Sequence, residues 1–216
     1  MARVVIITLS NKPKWLPEAI RSVEEQTVKC LHLWAVDDGH YLALGKYPPA
    51  AYFNEQVRMH TELDDYIAWL SDDDYLLPNF AADLGGYLDA NPWCGACYGL
   101  SNHMLIDEDG RKTFYRTLPD IAPEQYDTLN LPGGKIDGGQ YLVRRSVLEQ
   151  LRYPYTQEDL DRSNRVNDAM LMNRIAHLTA IRLVPVWVLE NRSVPESAHT
   201  RPAKPHGVYL HDWRQS

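Results

Sequence analysis

Residues 66–78 read Tyr-Ile-Ala-Trp-Leu-Ser-Asp-Asp-Asp-Tyr-Leu-Leu-Pro, a short apolar run that stops at three consecutive carboxylates. The apolar run predicts a strand buried inside a sheet. In an open α/β sheet, ligands bind beyond the carboxyl ends of the strands, and carboxylates there are available to a hard divalent cation. The triplet is also typical of a solvated turn followed by a helix cap. Its position directly after a buried strand favours a binding site.

The totals indicate one globular domain. The chain has 216 residues, of which 44% are apolar, enough for a sizeable core. The formal net charge of −7 argues against a broad nucleic-acid-binding surface. No apolar run approaches the roughly 20 residues of a membrane-spanning helix, and the first residues lack the cleavage site of a secretory signal. We therefore expect a cytoplasmic protein in which residues 1–216 form a single domain without a transmembrane segment.

Cysteine usage fits a reducing compartment, because the chain has only three cysteines. Cys94 and Cys97 have the spacing of a thioredoxin redox motif, but that motif opens a helix. Here the pair follows Asn91-Pro92, which ends a helix, and leads into a strand-like run. A redox protein remains an alternative, and it predicts sensitivity to thiol alkylation.

The first forty residues predict a βαβ unit. Residues 4–8 form a continuous run typical of a strand buried on both faces, and residues 15–23 carry one apolar stripe at helical spacing. A second strand over residues 31–36 ends at Asp37 and Asp38, before a glycine. Because parallel strands end at the same edge of a sheet, we expect these carboxylates to lie near residues 72–74. Turn chemistry alone also accounts for an Asp-Asp-Gly sequence.

The remainder of the chain predicts further elements of an α/β domain. Arg58, before the central strand, could reach a diphosphate, although a surface role explains it equally well. Asp168 falls in the first turn of a predicted helix, where the helix dipole by itself favours a carboxylate. The predicted elements are, in order, a less regular stretch at 40–62, a helix from residue 78, a hairpin over 98–115, a lid or binding loop over 118–135, a strand over 138–143, a short helix over 146–151 and a last strand over 181–189.

Four segments, in the right order, resemble family 2 glycosyltransferases. They are residues 5–39, the aspartate-x-aspartate strand at 66–74, the acceptor-side strand at 138–145 and the base-bearing helix at 167–174. The resemblance implies a GT-A fold, which is an α/β fold with a Rossmann-like, mixed but mainly parallel sheet flanked by helices and a small acceptor-side sheet. It also implies a nucleotide-sugar-binding half (1–100), an acceptor or catalytic half (101–190) and a C-terminal tail (191–216).

The resemblance also assigns roles to individual residues. It implies that Asp168 is the general base and that Asp73 ligates Mn²⁺ or Mg²⁺ through the diphosphate. It further implies that Thr8 and Ser10 line the nucleotide pocket, and that Asp38 hydrogen-bonds the nucleobase while Asp37 supports Asp38. Asp72 would contact the ribose or the metal. The implied acceptor-side residues are Gly138, Gly139 and Gln140.

The chain departs from the family pattern in three places. Ser71 stands at the first acidic position of the metal motif, which makes Asp74 a further candidate metal ligand. Asn167 precedes the base where an acidic residue is common. Val194 stands where a His often occurs, so His199 is considered as a substitute contact to metal or phosphate.

The function implied by the resemblance is a metal-dependent, inverting transfer of a sugar from a nucleoside-diphosphate sugar, with a UDP-sugar as the expected donor, to an acceptor hydroxyl. A homodimer is compatible with the sequence. One alternative is a sugar-nucleotide nucleotidyltransferase, which usually carries a Gly-rich basic loop near the N-terminus, whereas residues 8–14 contain no Gly. Another is a non-catalytic nucleotide-sugar-binding module on the same fold, which loss of the base would signal, and Asp168 is present.

Overall fold

The computed structural model describes residues 2–40, 48–118, 136–151 and 167–195, which form helices around one eight-stranded sheet. The strands are β1 (Val4–Ser10), β2 (Cys30–Val36), β3 (Tyr66–Trp69), β4 (Tyr75–Leu76), β5 (Cys94–Ile106), β6 (Lys112–Leu118), β7 (Tyr141–Arg144) and β8 (Ala180–Ser193). The helices are α1 (Leu16–Glu24), α2 (Pro48–His60), α3 (Phe80–Ala90), α4 (Arg145–Gln150) and α5 (Asn167–Leu178), with a 3₁₀ turn at Gly138–Gln140.

The strands follow the order β2-β1-β3-β7-β5-β8-β4, and β6 pairs with β5. β1 is parallel to β2 and β3, β7 lies antiparallel between β3 and β5, and β8 is parallel to β5. Five strands (β1, β2, β3, β5 and β8) therefore point one way, while β4, β6 and β7 point the other way. The expected Rossmann-like, mainly parallel α/β fold is confirmed.

The alternation of side chains along β1 divides the core into two layers. Val5 and Ile7 pack in a cluster with residues of α2 and α5, whereas Val4 and Ile6 pack in a cluster with residues of α1 and α3. Helices thus cover both faces of the sheet, which explains why the strand is apolar at successive positions. No helix within the described ranges has the length and apolar character needed to span a bilayer.

Two boundaries differ from the prediction. The sequence predicts little regular structure over residues 40–62, but α2 occupies residues 48–60. Its two prolines stand at the helix start, where a missing N–H costs nothing, and Ala50, Phe53 and Val57 recur at helical spacing and are buried. The C-terminal tail, predicted from residue 191, begins later because β8 continues through Ser193. The predicted lid is described only at residue 118, the end of β6.

Candidate functional site

Three strand ends meet at one side of the sheet, which we call the carboxyl edge. β1 ends at Ser10, β2 at Val36 and β3 at Trp69, and their parallel pairing places these ends together. The backbone N–H of Asp37 donates to the carbonyl of Ser10 over 2.7 Å. The hydroxyl of Ser10 donates to Asp72 Oδ2 over 2.8 Å. The structure therefore brings Ser10, Asp37 and Asp72 together, as the strand order suggests.

The three aspartates after β3 are all buried but do not point in one direction. Asp72 faces the end of β1. Asp74 faces β8, where its Oδ1 accepts from the backbone N–H of Arg192 over 2.8 Å and its Oδ2 lies 3.4 Å from Asn191 Nδ2. Burial, followed by the charge of Asp73, raises the pKa of the Asp74 carboxyl well above its ordinary range, although the Arg192 hydrogen bond opposes this.

Lys12 is the cation at this edge, and the sequence analysis did not select it. Its ammonium lies 2.7 Å from Asp73 Oδ2 and 3.2 Å from Asp72 Oδ1. Its backbone N–H also donates to Asp72 Oδ2 over 2.6 Å. Burial alone lowers the pKa of Lys12, but the charges of Asp73 and Asp72 outweigh burial and raise the pKa above its ordinary value. The available signal was a basic residue in the loop between β1 and α1.

A histidine–aspartate pair, also not selected from the sequence, lies beyond the carboxyl edge. His103 lies near the C-terminal end of β5, and its Nε2 is 2.6 Å from Asp137 Oδ2. His103 is buried, whereas 27% of the Asp137 side chain is exposed. Asp137 is close enough that its charge contributes to the raised pKa of Asp74. Its position directly before two glycines was the sequence signal that could have identified Asp137.

The predicted nucleotide-side residues differ in their accessibility. Thr8 is fully buried, and its hydroxyl lies 3.1 Å from His32 Nε2 on β2, so this hydroxyl does not line an open surface. Asp37 and Asp38 lie beyond β2, and Asp38 is exposed. Their Oδ1 atoms accept from the backbone N–H groups two residues on, over 2.9 Å in both cases. This is the turn chemistry expected around Gly39, whose φ is +85°.

The acceptor-side residues form a buried 3₁₀ turn rather than the start of a strand. Gln140 Nε2 donates to the carbonyl oxygens of Gly99 over 2.5 Å and Leu118 over 3.1 Å. A side chain at Gly139 would press on Leu189, because a Cβ built there lies 3.0 Å from Leu189 Cδ1. The Gln140 amide thus holds β5 and β6 together, while Gly139 allows close packing against Leu189.

Asp168 is the second residue of α5. The helix ends at Leu178, and β8 begins at Ala180 beside Cys94, the first residue of β5. α5 therefore runs back across the sheet, antiparallel to β5 and β8, for about 18 Å. Its first turn consequently belongs to the same side of the sheet as the carboxyl edge, which is where the proposed base would have to be.

Arg58 is not brought to this site. Arg58 is exposed in the last turn of α2. The neighbouring Val57 carbonyl lies 3.3 Å from Arg145 Nε, and the backbone of Arg145 donates to Asp65, directly before β3. Arg58 thus lies at the amino end of β3, opposite the carboxyl edge, and a contact to a diphosphate is not supported. His199 lies outside the described residues.

The donor set does not fit a metal held by the triplet alone. Asp72 uses its oxygens for Ser10 and Lys12, and Asp74 uses its oxygens for β8. Within the part of the chain that the structure describes, no group of three or more Asp, Glu, His or Cys side chains could hold a metal ion. The Mn²⁺ or Mg²⁺ site on Asp73 and Asp74 remains a prediction.

No protein-family model matches the chain, and no curated protein matches it by sequence. Solved structures do match. Staphylococcus aureus TarS 1–349 in complex with UDP-GlcNAc is 15% identical with a TM-score of 0.58, over 94% of this chain and 62% of that one. TarS 1–349 with UDP is 15% identical with a TM-score of 0.56, over 90% of this chain and 61% of that one. The chain thus spans about three fifths of TarS 1–349.

A smaller protein also matches. CMP:2-keto-3-deoxy-manno-octonic acid synthetase complexed with CTP is 11% identical with a TM-score of 0.52, and the match covers 87% of this chain and 91% of that one. At these identities the likeness concerns the backbone arrangement. The similar structures and the strand order together show that this chain has a Rossmann-like GT-A fold.

Proposed function

We propose that this protein transfers a sugar from a nucleoside-diphosphate sugar to an acceptor hydroxyl. The observation that carries the proposal is the junction of three strand ends, where Ser10 joins Asp37 on one side and Asp72 on the other through hydrogen bonds of 2.7 and 2.8 Å. In sheets of this kind, ligands bind beyond the carboxyl ends of the strands. Ser10, Asp37 and Asp72 offer polar groups to a nucleotide at this edge.

The donor class is supported by the structural likeness to TarS, which holds UDP-GlcNAc in one structure and UDP in another. We infer that Asp38, exposed beyond β2, hydrogen-bonds the nucleobase and that Asp72 faces the ribose. The orientation of the Asp72 carboxylate is fixed because the Ser10 hydroxyl and the Lys12 backbone N–H both donate to its Oδ2. An oriented carboxylate of this kind selects a sugar hydroxyl by geometry.

The chemical step needs a base opposite the leaving diphosphate. We propose that the Asp168 carboxylate accepts the proton of the acceptor hydroxyl as its oxygen attacks the anomeric carbon. The bond between that carbon and the diphosphate oxygen breaks in the same displacement, which inverts the anomeric configuration. The position of Asp168 at the start of α5, on the side of the carboxyl edge, supports this role.

A nucleotidyltransferase is the second candidate, and one observation favours it. The synthetase complexed with CTP has the same backbone arrangement over 87% of this chain, with a TM-score of 0.52. Such an enzyme would bind a nucleoside triphosphate at the carboxyl edge and release pyrophosphate. It would need no base that deprotonates an acceptor hydroxyl.

The test combines calorimetry with Asp168→Asn. We expect a nucleoside-diphosphate sugar from a panel of UDP-, GDP- and dTDP-sugars to bind the full chain with a Kd below about 1 mM. Asp168→Asn should bind this donor within about twofold of the wild type. It should release nucleoside diphosphate at least about 100-fold more slowly, the usual contribution of a general base. Asp83→Asn, in the first turn of α3, is the matched control and should retain activity.

Three results would contradict the proposal. Unchanged turnover by Asp168→Asn would remove the base assignment. Binding of CTP with pyrophosphate release, and no binding of nucleoside-diphosphate sugars, would favour the nucleotidyltransferase. Donor binding without turnover by the wild type, with a panel of hydroxyl acceptors or with water, would favour a non-catalytic binding module.

A further inference from the structure

The ammonium of Lys12 lies between two carboxylates of the carboxyl edge. It is 2.7 Å from Asp73 Oδ2 and 3.2 Å from Asp72 Oδ1, distances of charge-assisted hydrogen bonds and close ion pairs. Asp73 is the residue on which the expected Mn²⁺ or Mg²⁺ depends. A divalent cation and an ammonium cannot share one carboxylate oxygen at close range, because their charges repel.

The position of Lys12 is fixed by more than its side chain. Its backbone N–H donates to Asp72 Oδ2 over 2.6 Å, and Ser10 donates to the same oxygen. The Lys12 side chain is 17% exposed, and those of Asp72 and Asp73 are 4% and 6% exposed. Burial strengthens the ion pairs and limits exchange with solvent cations. The Lys12 side chain is therefore more exposed than either carboxylate that it pairs with.

We propose that the Lys12 ammonium occupies the position between Asp72 and Asp73 where a divalent cation would otherwise bind. The same ammonium binds the diphosphate of the donor, so donor binding does not require a divalent metal. The role toward the diphosphate rests on the proposed glycosyl transfer. The competition between the Lys12 ammonium and a divalent cation for Asp73 does not, because it concerns the ion pairs alone.

The experiment compares wild type with Lys12→Met, Lys12→Arg and Lys14→Met. The first change removes the cation, the second keeps it, and the third removes a charge two residues away, where the ammonium lies over the Trp15 ring at 4.8 Å. Electron paramagnetic resonance of free Mn²⁺ measures cation binding without nucleotide. Calorimetry with UDP-GlcNAc, in EDTA and then in Mn²⁺, measures donor binding by the full chain.

We expect Lys12→Met to bind Mn²⁺ at least about tenfold more tightly than the wild type, the equivalent of one charged contact. We also expect wild-type donor affinity to be equal in EDTA and Mn²⁺ within about twofold. Lys12→Met should lose about tenfold in EDTA and regain affinity with Mn²⁺. Lys12→Arg keeps the positive charge and should bind Mn²⁺ no more tightly than the wild type. Lys14→Met should behave like the wild type in both measurements.

Wild-type protein that binds Mn²⁺ as tightly as Lys12→Met would overturn the proposal, as would wild-type donor binding that disappears in EDTA. If Lys12→Met does not fold, the wild-type Mn²⁺ titration decides: stoichiometric binding contradicts the proposal, and its absence at millimolar Mn²⁺ supports it. If UDP-GlcNAc and the other nucleotide sugars fail to bind at all, the glycosyl-transfer proposal fails, while the Mn²⁺ titrations still decide the role of Lys12.

Discussion

Asp72, Asp73 and Asp74 follow one another in a single turn, yet each carboxylate has different partners. Asp72 accepts hydrogen bonds from β1 and the loop after it, Asp73 pairs with the Lys12 ammonium, and Asp74 accepts a hydrogen bond from β8. Burial, followed by the charge of Asp73, raises the pKa of Asp74, and the charge of Lys12 only partly opposes this. Three identical residues therefore cannot be assigned one shared role.

His32 supplies a pH-dependent prediction at the same scale. Its Nε2 lies 3.1 Å from the hydroxyl of Thr8, and burial lowers the pKa of its imidazole to about 4. The His32 imidazole binds a proton near pH 6.5 in the unfolded chain but only near pH 4 in the folded protein. Because protonation of His32 favours the unfolded chain, the free energy of unfolding is highest above about pH 6.5. It decreases as the pH falls from about 6.5 to about 4.

We expect the wild type to lose up to about 2 kcal/mol of unfolding free energy between pH 7.5 and pH 5 through His32. His32→Gln should lose correspondingly less over the same interval. Urea unfolding at both pH values measures the difference. His177→Gln, at an exposed position in α5, is the control and should follow the wild type. Equal losses in wild type and His32→Gln would show that His32 titrates normally in the folded protein.

At the scale of elements, glycines decide how closely strands and turns approach. A Cβ built at Gly95 in β5 would lie 2.2 Å from Thr179 Cγ2, in the turn between α5 and β8. Gly86, in the interior of α3, has nothing within 4 Å of such a Cβ. The first glycine is needed for packing, whereas the second only lowers the stability of its helix.

These surroundings predict opposite effects for one substitution. Gly95→Ala should destabilise the protein by about 1–3 kcal/mol, because the stiff Thr179 side chain must shift. Gly86→Ala should stabilise it by about 0.5–1 kcal/mol, because alanine favours the helix. Chemical denaturation of both variants measures the two changes. A Gly95→Ala variant as stable as the wild type would show that the contact between Gly95 and the turn at Thr179 is loose.

For the whole molecule, two layers of apolar side chains on opposite faces of the sheet account for the buried cysteines. Cys94 and Cys97 are fully buried in β5, within the layer that includes residues of α1 and α3. Burial raises the pKa of the Cys97 thiol well above its ordinary value. They lie on a strand rather than at a helix start, so the structure does not support the redox alternative.

Thiol labelling tests this at the level of global unfolding. In native protein at pH 8 we expect Cys94 and Cys97 to react with iodoacetamide only at the rate of unfolding, because no local opening exposes a central strand. Cys30 is partly exposed, but burial raises its pKa to about 11, so it should react slowly. Cys30→Ser provides the control with only the buried pair. Rapid modification of that pair in folded protein would restore the redox alternative.

Much of the fold was predictable because its signals are local. The apolar run of β1, the hairpin turn before β6 and the helix that begins at Asn167 were all recognised from short windows, and the structure confirms them. α2 was missed because its apolar positions are few and interrupted by polar residues. At the site, the proximity of Ser10 and Asp72 follows from the rule that parallel strands end at one edge, but their hydrogen bond does not.

The sequence by itself determined which strands end in polar residues and, through the rule that parallel strands end together, which edge they share. Only the tertiary structure decided the partners of each charge: Lys12 reaches Asp72 and Asp73 across 60 and 61 positions, and Arg192 reaches Asp74 across 118. The physical reason is that the two kinds of signal act over different distances. Side-chain periodicity reflects neighbours within a few residues, whereas ion pairs and hydrogen bonds act over ångströms in space and depend on how distant segments pack.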